Sequence, residues 1–102
     1  MFIAMNRFQV NPERGDEFER GWRERDSHQQ EVPGFRAFVL LRGETGGEYI
    51  SHSTWESREA FRAWTQSESF RQAHARGPAE GVVVGHPQAS FYDAVLIEPA
   101  AG

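Results

Sequence analysis

The sequence contains no cysteine and no lysine. Without cysteine there is no disulfide framework, no thiolate nucleophile and no zinc-thiolate or iron–sulfur centre. Without lysine, Schiff-base chemistry and a Walker-type phosphate loop are excluded. No apolar run approaches the ~18 residues of a membrane span. The opening Met-Phe-Ile-Ala-Met-Asn has neither the basic lead nor the long apolar stretch of a signal peptide. A basic stripe is also missing. All eleven positive residues are arginines scattered among fifteen acids, for a net charge of −4, which argues against nucleic-acid binding through counterion release. The expectation is a cytoplasmic protein that engages neither membrane nor nucleic acid.

What is present is a 102-residue chain with 38% hydrophobic and 13% aromatic content, a composition that suits one folded domain over residues 1–102. A domain of this size buries only about 60–65% of the surface its unfolded chain exposes. A bulky ligand must therefore sit in an open pocket, or a second subunit must share its burial.

Residues 2–10 alternate as a first strand, with Phe2, Ala4, Asn6, Phe8 and Val10 on one face and Ile3, Met5, Arg7 and Gln9 on the other. Asn11-Pro12-Glu13 opens a helix: a capping amide, Pro at the first helical position, then an acid at the positive end of the dipole. That helix is expected to reach about His28, with Phe18, Trp22 and Arg25 along one side. Phe35–Arg42 reads as the second strand, apolar on both parities, and Glu48–Trp55 as the third, joined by a glycine-rich hairpin turn. Ser57 caps a helix carrying Ala60, Phe61 and Trp64. A second cap at Ser67 breaks that helix near Thr65–Ser67 and starts a short third one through Arg76, closed by Gly77-Pro78. Residues 77–87 form a Gly/Pro-rich loop, and Ser90–Glu98 is the last strand.

The order β-α-β-β-α-β is the ferredoxin-like α+β pattern, an antiparallel sheet with helices on one face. A sheet wetted on its other face shows clean alternation. The first two strands do not, so something covers the second face, and a second copy of the sheet in a homodimer is the simplest cover.

Asn6 shares its face with four apolar residues, so it either bonds a neighbouring backbone group or points a donor into a ligand cavity. His74 is either an ordinary solvated or core histidine or an axial ligand for haem iron. The absence of cysteine and of a His-Glu-x-x-His pair makes zinc a poor competitor. On an unbroken helix Trp64 and His74 would stand ~15 Å apart along the axis and ~80° around it. The break at Ser67 lets both turn toward one cavity, although Trp64 alone also reads as plain core. His28, His52 and His86 are weaker candidates, and Trp22 and Trp55 read as packing residues.

The segments Met-Asn-Arg-Phe (5–8), Val-Pro-Gly-Phe (32–35), Ser-x-Trp-Glu-Ser (53–57) and Ala-Trp-x-x-Ser-x-x-Phe-x-x-Ala-His (63–74) resemble the Isd-type haem-degrading monooxygenases. Those belong to the antibiotic biosynthesis monooxygenase superfamily of dimeric ferredoxin-like α+β barrels. Gly-His-Pro-Gln (85–88) and Phe-Tyr-Asp (91–93) resemble the rhizobial, HmuQ-like branch. The resemblance implies that His74 Nε2 is the proximal iron ligand, that Asn6 donates to the distal oxygen ligand, and that Trp64 presses on the macrocycle. It places Trp22 and Arg25 beside the haem, with Arg25 available to a propionate. Haem would be both cofactor and substrate, opened with dioxygen to release iron and a linear tetrapyrrole. No flavin or nicotinamide motif is present, so electrons would come from an external donor. The short loop 77–87 implies an exposed haem edge. Two other readings share the scaffold: a cofactor-free monooxygenase acting on a polyketide-like aromatic, and a non-catalytic haem-binding protein.

Overall fold

The computed structural model describes residues 1–25, 29–74, 77 and 79–101. Four strands, β1 (Phe2–Gln9), β2 (Phe35–Arg42), β3 (Glu48–Trp55) and β4 (Gln88–Asp93), form one antiparallel sheet in the order β2-β3-β1-β4. Three α-helices, α1 (Gly15–Glu24), α2 (Arg58–Thr65) and α3 (Glu68–Ala73), complete the ferredoxin-like α+β arrangement that the strand and helix order predicts. Among the described residues no helix is long and apolar enough to cross a membrane.

The local signals act as their chemistry requires. The Asn11 side chain accepts from the Glu13 amide at 3.1 Å, and Pro12 opens a 3₁₀ turn (Pro12–Arg14) that passes into α1. The helix ends earlier than expected: Arg25 is already extended (ψ 131°), and residues 26–28, including His28, lie outside the described residues. Ser57 and Ser67 accept from the Ala60 and Phe70 amides, each at 3.1 Å, so the predicted break between α2 and α3 is present. The third helix closes at Ala73 rather than Arg76, which lies outside the described residues. At Gly34 (φ +84°) a Cβ would stand 2.5 Å from the Ala60 Cβ, so glycine is what lets α2 press on the start of β2.

Two expectations are corrected. The two-sided apolarity of the second strand arises partly from a bulge. Phe35 pairs with Trp55 and Phe38 with Ser53, with a register shift between Phe35 and Ala37. Phe35 and Phe38 therefore share the helix-side face. Val39 and Leu41 still stand exposed on the other face. The last strand is Gln88–Asp93, not Ser90–Glu98. Its partner β1 begins at Phe2, and the Ala94 amide bonding the Met1 carbonyl (2.9 Å) is the last such contact, which leaves Val95, Leu96 and Ile97 exposed. The expected loop before β4 is present over its described residues, where it is anchored: Val82 is buried, Val83 bridges Val10, and the Val84 amide bonds the Gln9 carbonyl.

The core is divided in two. Phe2, Ala4, Trp55 and Trp64 form one cluster, with Phe61 and Phe70 packed against it from α2 and α3. Val10, Phe18, Tyr49 and Val82 form the other, joined by Phe8 and Trp22. Between them the helix-side face of the sheet carries small residues. Ala4 pairs with Ser53, and Asn6 pairs with Ser51 on one side and Ala89 on the other.

Candidate functional site

Asn6 stands in that gap. It lies on the helix-side face by register, yet it is exposed, while Phe2, Ala4 and Val10 on the same face are buried. The expectation that the amide lies beneath a helix is thus corrected. α1 covers one end of the face, α2 and α3 cover the other, and the strip through Asn6, Ser51 and Ala89 lies between the clusters. The side chain makes no hydrogen bond to another described residue. Its donor is free because the packing stops short of it.

Trp64 and His74 do come together. The break at Ser67 turns α3 against α2, and their ring centroids stand 5.8 Å apart at 61°. Phe70 lies between them in contact, edge-on to Trp64 at 4.8 Å and stacked on His74 at 4.1 Å. His74 is exposed, so an open face, rather than an enclosed cavity, surrounds the imidazole. Its Nδ1 lies 2.9 Å from the Phe70 carbonyl oxygen. A carbonyl accepts only, so Nδ1 carries a proton and donates, and in the neutral ring the lone pair is therefore on Nε2. Trp64 is 5% exposed, and its Nε1–H is a buried donor with no partner. An orphaned donor of this kind costs ~1–3 kcal/mol. By contrast, Trp55 Nε1 donates to Ser53 Oγ at 3.0 Å, as a purely structural indole would.

Trp22 and Arg25 meet from the α1 side. The Arg25 guanidinium lies 4.3 Å from the Trp22 ring centroid and 5.9 Å from that of Phe38, and Trp22 stacks on Phe38 at 5.4 Å. Burial lowers the Arg25 pKa from its ordinary value, and among the described residues no carboxylate pairs with it. A guanidinium keeps its proton even so, which makes Arg25 a partly desolvated cation with no carboxylate partner among the described residues.

One cluster escapes sequence reasoning. Glu19 is buried and accepts from Tyr49 Oη (2.5 Å), Arg42 Nε (2.8 Å) and Nη2 (3.0 Å), and Arg23 Nη2 (3.2 Å). The hydrogen bonds from Arg42 and then Tyr49 hold its carboxyl at a pKa of about 2, against the opposing effect of burial. The signal was available: Glu19 follows Phe18 on the inward side of α1, and Tyr49 shares the buried parity of β3 with Ser51, Ser53 and Trp55. Two hollows of about 290 and 280 Å³ adjoin this cluster rather than His74.

The donor set suits one kind of metal. Among the described residues no group of three His, Asp or Glu could hold a bare ion. A single neutral imidazole, backed by a carbonyl that fixes its tautomer, suits a metal whose other positions are already filled by a macrocycle. Arg25, with no carboxylate partner among the described residues, fits the same kind of ligand, which is large, planar and anionic at its edge.

Comparison with known proteins agrees. Residues 1–76 match the family model described as antibiotic biosynthesis monooxygenase. The chain is 36% identical over 84 residues, 81% of its own length and 79% of the relative's, to a mycobilin-producing heme oxygenase of Mycobacterium tuberculosis. It is 31% identical over 65 residues, 63% of this chain and 60% of the relative, to a heme-degrading monooxygenase of Shouchella clausii. Among solved structures, the heme degrader MhuD of Mycobacterium tuberculosis, with two hemes bound in its active site, matches at 29% identity and a TM-score of 0.79, covering 97% of this chain and 100% of that one. The strand order, the split helix layer and these matches together make the chain a member of the antibiotic biosynthesis monooxygenase family, with relatives that degrade haem.

Proposed function

We propose that this chain binds haem and degrades it oxidatively, with His74 as the axial ligand, dioxygen as oxidant and an external electron donor. The observation that carries the reading is the His74–Phe70 hydrogen bond. It orients Nε2 outward as the lone-pair nitrogen of the neutral ring, on an exposed side chain that also touches Trp64. The heme-degrading relatives supply the substrate class. Bound haem supplies the iron at which dioxygen is reduced and is itself the molecule oxidised.

The residues then have separable tasks. His74 Nε2 holds the iron, and the Phe70 carbonyl keeps the ring oriented by accepting the Nδ1 proton. Asn6 offers a neutral N–H donor from the sheet floor, which fixes an oxygen by hydrogen bonding without adding a charge. The Trp64 indole supplies a rigid wall whose burial on Trp55, Phe61 and Phe70 resists displacement by a bulky ligand. Arg25, braced on Trp22, offers a cation to a propionate. The opening at Asn6 and Ala89 lets a ligand too large for the thin core lie between the two clusters.

The reading includes a homodimer across the uncovered sheet face, where Val39 and Leu41 stand exposed. Four strands of six to eight residues give that face about 400–500 Å². Pairing two such faces buries total area near the lower limit of a specific interface, and the exposed Val95–Ile97 segment adds to it.

The test is hemin titration of the purified protein, then reductant under air, with mass analysis of the pigment and sedimentation to give the oligomeric state. The expected result is a Soret shift that bleaches to a linear tetrapyrrole. No Soret shift favours a cofactor-free monooxygenase, and a Soret band that persists under turnover conditions favours a haem carrier.

A further inference from the structure

The hollow of about 290 Å³ between α1 and β2 is separate in its lining from His74, Trp64 and Asn6. Its apolar wall is Trp22, Phe38 and Leu40, with the Trp22 and Phe38 rings nearly parallel at 21°. Its polar side is the Glu19 cluster. Two guanidiniums, Arg23 and Arg42, stand at the rim with 71% and 68% of their side chains exposed, and both are tied to the one carboxylate of Glu19.

The charge and the hydrogen bonds there do not balance. Two cations share one anion, so the rim keeps an excess positive charge. Both oxygens of Glu19 are already filled by four donors, three from the arginines and one from Tyr49. Nη1 of Arg42 and both Nε and Nη1 of Arg23 donate to no described residue. The ties to Glu19 fix the two forks without using all their donors, so little ordering entropy remains to be lost on binding an anion. The combination of an aromatic wall and guanidinium donors left unspent by Glu19 selects an aromatic acid. The volume lies at the lower end of small-molecule sites, room for a single ring and its carboxylate.

We propose that this hollow is a second ligand site, for a small planar carboxylate, which lies against Trp22 and Phe38 and is gripped by Arg23 and Arg42. The site does not depend on the haem reading. It shares Trp22 with Arg25, so its occupancy is reported by that indole. A haem propionate presents the same chemistry as a free aromatic acid, and the two sources are distinguished by whether haem competes.

The experiment titrates the full chain with benzoate, haem-free and hemin-loaded, following the Trp22 indole N–H and the backbone amides of residues 22–23 and 38–42 by heteronuclear NMR. Benzamide serves as the neutral control. The expected result is saturable shifts confined to those residues in the haem-free protein, with benzamide at least tenfold weaker. Arg23→Ala, an exposed substitution that leaves the core intact, is expected to weaken benzoate about tenfold, the effect of one charge-assisted contact. Calorimetry of the hemin-loaded protein, where iron can broaden the resonances, is expected to show benzoate affinity within threefold of the haem-free value. Equal binding of benzamide, unchanged affinity in Arg23→Ala, shifts scattered over the surface, or displacement of benzoate by hemin would each overturn the proposal.

Discussion

His74 Nδ1 stands 2.9 Å from the carbonyl oxygen of Phe70, one turn back along the chain, while the two rings stack at 4.1 Å. The same carbonyl, which also accepts the His74 backbone amide at 3.1 Å, thus sets the tautomer of the neutral imidazole. Replacing His74 with Ala should weaken hemin binding by more than about a hundredfold and abolish the Soret shift. Because the side chain is exposed, stability should change by less than about 1 kcal/mol. Hemin titration beside urea denaturation separates the two effects. Nitrogen NMR of the wild-type ring should show the neutral form protonated at Nδ1 and bare at Nε2.

Asn6 has the opposite profile. Its side chain is exposed and makes no hydrogen bond to another described residue, so Asn6→Ala should leave both stability and hemin affinity close to wild type. The loss should fall on turnover. Removing one preorganised neutral donor typically costs about 10²–10³ in rate, and Soret bleaching under air with a fixed reductant should slow by at least tenfold. A variant that bleaches at the wild-type rate removes Asn6 from the chemistry.

Strand periodicity and turn glycines were sufficient to place β2 and β3 residue for residue, and the paired Ser caps located the break that joins Trp64 to His74. Periodicity could not say where the helix layer ends. Register assigns Asn6 to the helix-side face, but whether a helix lies above that point depends on how α1 and α2 diverge, which is a tertiary outcome. The end of β4 failed for a related reason. Val95 and Ile97 continue the alternation, yet a strand needs a neighbour, and β1 has none to offer beyond Met1. The bulge at Arg36 hid similarly, since it shifts parity without a glycine to mark it. The inward side of Glu19 is legible in the helix period, but its partners are not, because only the fold brings Arg42 and Tyr49 to it.

The two indoles of the first core cluster offer a matched pair. Trp55 is fully buried and donates Nε1–H to Ser53 Oγ, while the Nε1–H of Trp64 has no partner. Substitution by Phe removes similar volume from each. At position 55 it also leaves Ser53 Oγ short of a donor, and a total cost of about 2–3 kcal/mol is expected. At position 64 it deletes an unsatisfied group, which offsets part of the lost packing, so the cost should be about 1 kcal/mol smaller. Urea denaturation of both haem-free variants checks the order.

Glu19 governs the acid limb. Its folded pKa, about 2, lies below the ordinary carboxyl value of 4.5, chiefly because Arg42 and then Tyr49 donate hydrogen bonds to it. The ionised carboxylate is therefore favoured by folding. Its contribution is complete above about pH 4.5, fades as the pH falls toward 2, and is gone below that. Glu17, lowered chiefly by its hydrogen bond from Arg14, pulls weakly in the same direction. Glu19→Gln should cost about 2 kcal/mol at pH 7, since the arginine partners are solvent-exposed and the buried tyrosine loses a charged acceptor. The gap between wild type and variant should be constant from pH 5 to 8 and narrow steadily at pH 4, 3 and 2. Denaturant midpoints across that series give the measurement, and a gap that stays level into acid would show that the carboxylate is not held by these hydrogen bonds.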